Sequence, residues 1–143
     1  MRKIKLLVVD DEIAWSQPFK DLLESTEVFQ VEIEPYGSEA PRHAHSFEPD
    51  IILIDWGLEH EKTFGASGDG IAVAHKLRTK HPEFDKIPIL IITQRDPDTA
   101  IPVLGSNYEA KGIYITSKDS TNVMLAYIGY ALFRWTQQVG FVK

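Results

Sequence analysis

The chain has 143 residues, which fits one ordinary domain with a real core and leaves too little for several modules side by side. It contains no cysteine, which excludes disulfides, thiolate catalysis and cysteine-based zinc sites. Its formal charge of -6 is spread along the chain, so no electrostatic feature points to a nucleic-acid partner.

The opening "MRKIKLLVVDDE" starts with basic residues, but two aspartates soon interrupt its apolar run "LLVV". The run is too short for a secretion signal or a membrane span, so a cytoplasmic location without membrane contact is expected. "IKLLVV" (4–9) reads as a first strand. A helix follows over 15–25; with Ser16 as its cap, Pro18 falls in the first turn, where proline is tolerated. "VFQVEIE" (28–34) is the second strand, and the strict alternation of "VEIE" suits a sheet edge. Helical spacing returns over 38–47, and "IILI" (51–54) gives a third strand of continuous aliphatic residues. A third helix over 69–81, a fourth strand "IPILIIT" (87–93) and a fourth helix over 97–109 come next, the last interrupted by Pro97, Pro102 and Gly105. "GIYIT" (112–116) and a long helix over 120–138 complete the series. Four of the five strands are almost wholly apolar, which suits a parallel sheet covered on both faces. Alternation of strand and helix makes the class α/β with right-handed crossovers, expected as a single domain over 1–143 with no separate output domain.

In such a sheet, ligands bind beyond the carboxyl ends of the strands. The polar residues that directly follow the apolar runs are Asp10, Asp11 and Glu12, then Asp55, then Thr93, then Thr116, Ser117 and Lys118. Taken alone, the first group reads equally well as a helix-capping acidic turn. Three carboxylates brought together without compensation would repel one another, and a cation is the economical remedy. Hard oxygen ligands without histidine or cysteine favour magnesium, which takes a few carboxylates, keeps several waters and accompanies phosphoryl groups. A lysine and a hydroxyl beside it would supply donors for phosphoryl oxygens. Asp55, a carboxylate ending a strand that is otherwise pure core, is then the nucleophile and would form an acyl phosphate.

"LLVVDDE", "IILIDWGL", "SGDGIAVAHKLR", "IPILIIT" and "IYITSKDS", in this order and over nearly the whole chain, resemble the receiver domain of two-component response regulators. The resemblance implies a doubly wound five-stranded parallel sheet of the flavodoxin-like (β/α)5 type, with strand order 2-1-3-4-5. It implies Asp55 as phosphoacceptor, and Asp10, Asp11, Asp55 and the main-chain carbonyl of Gly57 as ligands of Mg2+. Thr93 matches the hydroxyl that moves onto the phosphoryl group, Lys118 the lysine that pairs with it, and Tyr114 the aromatic switch residue. The implied partners are a histidine kinase or histidine phosphotransfer protein and a downstream protein. The domain would be a signalling switch, not an enzyme beyond its own phosphorylation and dephosphorylation.

The chain departs from the family pattern in four places. Gly70 follows Asp55 by fifteen positions, which marks an insertion around 59–67 expected to be mobile and to lie over the acceptor. The usual proline is missing after Leu58, and Gln94 stands where a small residue is common. Lys118 follows Tyr114 by four positions, one more than usual, and precedes Asp119 instead of proline. A bulge would restore the lysine's reach; without one, Ser117 takes its place. The displaced lysine and long loop leave open a pseudo-receiver that works as a phosphorylation-independent interaction module. A phosphatase or phosphotransferase using the same aspartyl chemistry is disfavoured, because Gly57 stands where such enzymes carry a second aspartate.

The histidines of "RHAH" (His43, His45) are read as surface residues at a helix end. "EHEK" (His60), which resembles the His-Glu pair of a phosphodonor histidine, is read as a loop because Gly65 and Gly68 lie nearby and no long dimerisation helix is expected there. On the last helix, Met124, Leu125, Ile128, Ala131, Leu132 and Trp135 share the face expected to pack on the sheet. A second stripe, Val123, Tyr127 and Tyr130 leading to Arg134, has the composition of an interface and predicts a homodimer or partner contact. The alternative is that the terminal "VGFVK" folds back over it.

Overall fold

The five apolar runs form β1 (Ile4–Val9), β2 (Phe29–Glu34), β3 (Ile51–Asp55), β4 (Ile89–Thr93) and β5 (Ile113–Ser117). In a computed structural model, which describes residues 2–58, 69–105 and 107–139, they pair in parallel in the order β2-β1-β3-β4-β5. The alternating edge strand and the four near-continuous apolar strands thus sit where their patterns require. The expectation for 59–67 lies outside the described residues.

Side chains alternate across the sheet, and each face has its own helical layer. Leu7, Val9, Ile52, Ile54, Ile91 and Ile115 lie in one core with α2 (Ala40–Phe47), α3 (Gly70–Lys80) and α4 (Ile101–Leu104). Leu6, Val8, Leu53, Leu90, Ile92 and Tyr114 lie in the other with α1 (Ile13–Ser25) and α5 (Thr121–Val139). Each fully buried aliphatic side chain contributes about 1.5–3 kcal/mol. That surplus lets the strands end on polar residues that destabilise the fold. Among the described residues no helix is long and apolar enough to cross a membrane.

Two helices differ from expectation. α1 starts at Ile13 with Glu12 as its cap residue, so Ser16 is buried inside the helix and Pro18 lies in its interior instead of its first turn. The acidic turn and the helix start therefore merge, with Trp15 and Ser16 N–H groups both donating to the Glu12 carbonyl. The helix expected over 97–109 reduces to a 3₁₀ turn, Pro97–Ala100, and one α-turn, Ile101–Leu104. Gly105, at φ 88°, ends it in a conformation that other residues rarely adopt.

Two contacts fix the strand ends that carry the polar residues. His43 on α2 lies between Glu34 (2.9 Å) and Glu32 (2.6 Å), and the Glu34 carbonyl accepts the Asp10 N–H (3.0 Å). Burial opposes the charged imidazole, but the two carboxylates outweigh it and hold the His43 pKa above its ordinary value. At the other strand, α3 begins against the main chain of Asp55. A Cβ on Gly70 would collide with the Asp55 carbonyl oxygen, so only glycine fits there. Its N–H donates to the Trp56 carbonyl at 3.0 Å.

Candidate functional site

Asp10, Asp11, Asp55, Thr93 and Lys118 converge at the carboxyl edge of the sheet. Asp10 is fully buried just past β1, and its Oδ1 accepts the Glu12 N–H at 2.8 Å, shaping the turn into α1. Asp55 closes β3 opposite Ile92 and is only 5% exposed. One carboxylate oxygen from each of Asp10, Asp11 and Asp55 lies within 4.8 Å of the others. A cleft of about 190 Å3 opens onto Asp11, Asp55, Gly57 and Thr93, with Gln94 and Arg95 on its rim. Thr93 Oγ1 accepts the Arg95 N–H (2.9 Å), and the Arg95 guanidinium lies 5.0 Å from the centre of the Trp56 ring.

Lys118 reaches this cluster without a bulge. β4 and β5 pair in uninterrupted register through Thr93 and Ser117, and the Lys118 N–H donates to the Thr93 carbonyl at 2.7 Å. The pleat does the rest. Tyr114, Thr116 and Lys118 alternate onto the α1/α5 face, the face that Leu6 and Val8 share with Asp10, and that Leu53 shares with Asp55. Lys118 Nζ lies 2.8 Å from Asp10 Oδ2 and 3.6 Å from Asp55 Oδ2, with its side chain 1% exposed. Ser117 is half-buried and does not take the lysine's place.

The same parity separates Tyr114 from Thr93. Tyr114 is fully buried in the α1/α5 layer, its ring 5.7 Å from that of Tyr130. Thr93 follows Ile91 in the alternation and so belongs to the opposite face, where β5 presents Ile115. The expected pairing of Thr93 with Tyr114 as a switch is therefore not formed. Two further residues carried no expectation in the sequence. Trp15, on the first turn of α1, has its ring centre 4.3 Å from Lys118 Nζ, and Arg95 rests on Trp56.

On α5, Met124, Ile128, Ala131 and Trp135 are buried, with Leu125 and Leu132 packed beside them. Val123, Tyr127 and Tyr130 are each about two-fifths exposed, and Arg134 is exposed. The Tyr130 hydroxyl donates to Glu109 Oε1 (3.1 Å) and its ring meets Tyr127 at 6.0 Å. Residues 140–143 of the expected cover lie outside the described residues.

The electrostatics of the cluster are those of a site short of positive charge. With every group ionised, three carboxylates and one ammonium leave a net of two negative charges at the strand edge. Burial first, then the charge of Asp10, pushes the Asp55 carboxyl up to about 6, against the pull of Lys118 and the Gly57 N–H. Burial also raises Asp10, despite Lys118 and the Glu12 N–H. Three hard oxygen donors around an open cleft fit a divalent cation that keeps part of its water, and magnesium suits such a set.

Known proteins resemble the chain along most of its length. The family model of the response regulator receiver domain matches residues 6–125. The phosphate regulon transcriptional regulatory protein PhoB of Rhizobium meliloti (strain 1021) is 34% identical over 95 residues, 66% of this chain and 38% of that protein's length. Among solved structures, a putative response regulator from Chloroflexus aurantiacus J-10-fl superposes with a TM-score of 0.71 at 23% identity, covering 92% of this chain and 99% of that one. The BeF3-activated N-terminal receiver domain of Klebsiella pneumoniae RstA does so with a TM-score of 0.69 at 22% identity, covering 90% and 97%. The structural matches speak for the fold.

The raised carboxyl of Asp55 predicts a pH signature. Its folded pKa of about 6 stands above the ordinary 3.8, so the folded state holds this proton more tightly than the unfolded chain. Its effect on stability is therefore most favourable below about pH 4 and is lost as pH rises toward and past about 6, a difference on the order of 2–3 kcal/mol. In metal-free buffer, Asp55→Asn is expected to be more stable than the wild type at pH 7.5 by roughly 1–3 kcal/mol, and near parity at pH 4. Urea denaturation at the two pH values checks this; a variant less stable at pH 7.5 would contradict it.

Proposed function

The chain belongs to the response regulator receiver domain family, and from that membership we propose that Asp55 accepts a phosphoryl group from a histidine kinase or histidine phosphotransfer protein. The observation that supports this most is the position of Lys118, its ammonium between Asp10 and Asp55 despite the unusual spacing in the sequence. Asp10, Asp11, Asp55 and the Gly57 carbonyl would hold Mg2+, which supplies positive charge for the oxygens of the transferring group. A carboxylate oxygen of Asp55 attacks phosphorus, the phosphorus–nitrogen bond to the donor imidazole breaks, and the imidazole keeps the electron pair and takes a proton from water. Lys118 then pairs with a phosphoryl oxygen.

The Thr93 hydroxyl donates to a second phosphoryl oxygen. Because Thr93 Oγ1 also accepts the Arg95 N–H, its movement pulls on the segment that leads into the 3₁₀ turn at Pro97. Ile115, on the same face, repacks with it, and a pre-existing population of the domain shifts. A downstream protein or a second copy reads the shift on the other side of the sheet, through Val123, Tyr127, Tyr130 and Arg134 of α5, which the Tyr130–Glu109 hydrogen bond ties to the connection between β4 and β5. We assign the domain no catalysis beyond gaining and losing this phosphoryl group, and place it in the cytoplasm.

Incubation with Mg2+ and acetyl phosphate or phosphoramidate should add one phosphoryl mass to the wild type and none to Asp55→Asn, read by intact mass spectrometry. An adduct on the variant would move the nucleophile elsewhere, and no adduct on the wild type would favour a phosphorylation-independent interaction module. For the contact face, Val123→Glu with Tyr127→Glu avoids the Tyr130 ring that packs on Tyr114. This variant should be phosphorylated like the wild type and lose self-association or partner capture. Unchanged sedimentation and binding would dismiss the stripe as an interface.

A further inference from the structure

The ammonium of Lys118 is held in an unusual way for a group so deeply buried. Its contact with Asp10 Oδ2 is close, at 2.8 Å, yet oriented poorly for a hydrogen bond, and Asp55 Oδ2 at 3.6 Å is beyond good hydrogen-bond reach. Coulomb attraction toward the carboxylates therefore restrains the ammonium without fixing its direction. Among the described residues the ammonium also meets the indole of Trp15, whose ring centre lies 4.3 Å from Nζ. This is well within the range in which a cation is drawn to an aromatic face, and tryptophan is the strongest partner of that kind.

Trp15 is itself well placed to act as a fixed platform. It sits on the first turn of α1, three residues after the cap residue Glu12, whose N–H binds Asp10. Phe19, one helical turn later and buried in the α1/α5 core, stacks on the indole with centroids 4.8 Å apart and planes 19° apart. The platform is thus anchored to the same turn that places the acidic pair.

We propose that Trp15 is a positioning residue for Lys118, its indole face holding the ammonium beside Asp55 where an incoming phosphoryl oxygen will need it. The inference rests on the acceptor reading above for its consequence, but not for its contact. In the resting state the indole replaces the water that a buried ammonium lacks. When Asp55 carries a phosphoryl group, the ammonium turns from Asp10 to the new oxygen with little travel, because the ring has kept the lysine chain from swinging away. The relevant property is the ring's electron density, not its bulk alone.

Two measurements test this on the intact chain. In NMR of the unphosphorylated protein, the Lys118 Hε resonances should lie upfield of those of the other lysines through the indole ring current. They should return among the others in Trp15→Leu; Hε signals with no upfield shift in the wild type overturn the contact, whether or not the protein takes a phosphoryl group. For the role, tryptophans bearing one, two or three ring fluorines are placed at position 15 alone by nonsense suppression. Each fluorine weakens the cation–π attraction at nearly constant shape. The rate of Asp55 phosphorylation by acetyl phosphate should fall stepwise along the series, Trp15→Leu should lose about tenfold, and Trp15→Tyr should keep most of the wild-type rate. A flat series, or Trp15→Leu matching the wild type, overturns the positioning role. If the wild type takes no phosphoryl group, the acceptor reading fails instead. The same fluorine series is then read by the Lys118 Hε shift, where an upfield shift that falls stepwise with fluorination supports the platform and a constant shift overturns it.

Discussion

Three carboxylates and one ammonium share a few ångströms at the carboxyl edge of the sheet, Asp10, Asp55 and Lys118 buried and Asp11 half-buried, and the rest of the structure is arranged to hold them there. The burden is substantial, since Asp55 alone is pushed to about 6 by burial and by Asp10. Fully buried aliphatic residues on β1, β3 and β4 outweigh it, each contributing about 1.5–3 kcal/mol. The rigid core makes the site possible, and the site's own imbalance makes it responsive. A group of net negative charge that is uncomfortable when empty is stabilised by whatever brings positive charge to it.

The pleat of β5 decides which residues take part. Lys118 follows Tyr114 by four positions, and an even spacing on a strand means a shared face. That single fact brings the lysine to Asp10 and Asp55 and also takes the tyrosine away from Thr93. Ile115, three before the lysine, faces the Thr93 side in its place. The sequence contained this result, because the parity of the spacing is countable once Lys118 is assigned to the acidic face. The lysine's reach and the tyrosine's side of the sheet are one question, since a single parity answers both.

Other features were legible to different depths. The five strands and the acidic cluster could be read because they depend on periodicity and on strand ends, which are local signals, whereas the strand order came only with the family resemblance. The start of α1 could not, because Ser16 resembles a cap in sequence yet is buried in the helix interior. The fourth helix was weakened by Pro97, Pro102 and Gly105 as the pattern suggested, and tertiary packing left only a single turn. Trp15 was invisible as a functional residue, since its significance comes from Lys118, which lies 103 positions later in the chain and meets it only through the fold.

The most direct test of the central claim, that this buried cluster is built to be completed by a divalent cation, is a magnesium titration of the metal-free protein followed by thermal unfolding at pH 7.5. The account predicts a saturable rise in the unfolding midpoint for the wild type, accompanied by a change in tryptophan fluorescence from Trp56 beside Asp55, and a strongly reduced response in Asp11→Asn. A wild type indifferent to magnesium, or an Asp11→Asn variant that responds equally well, would contradict it.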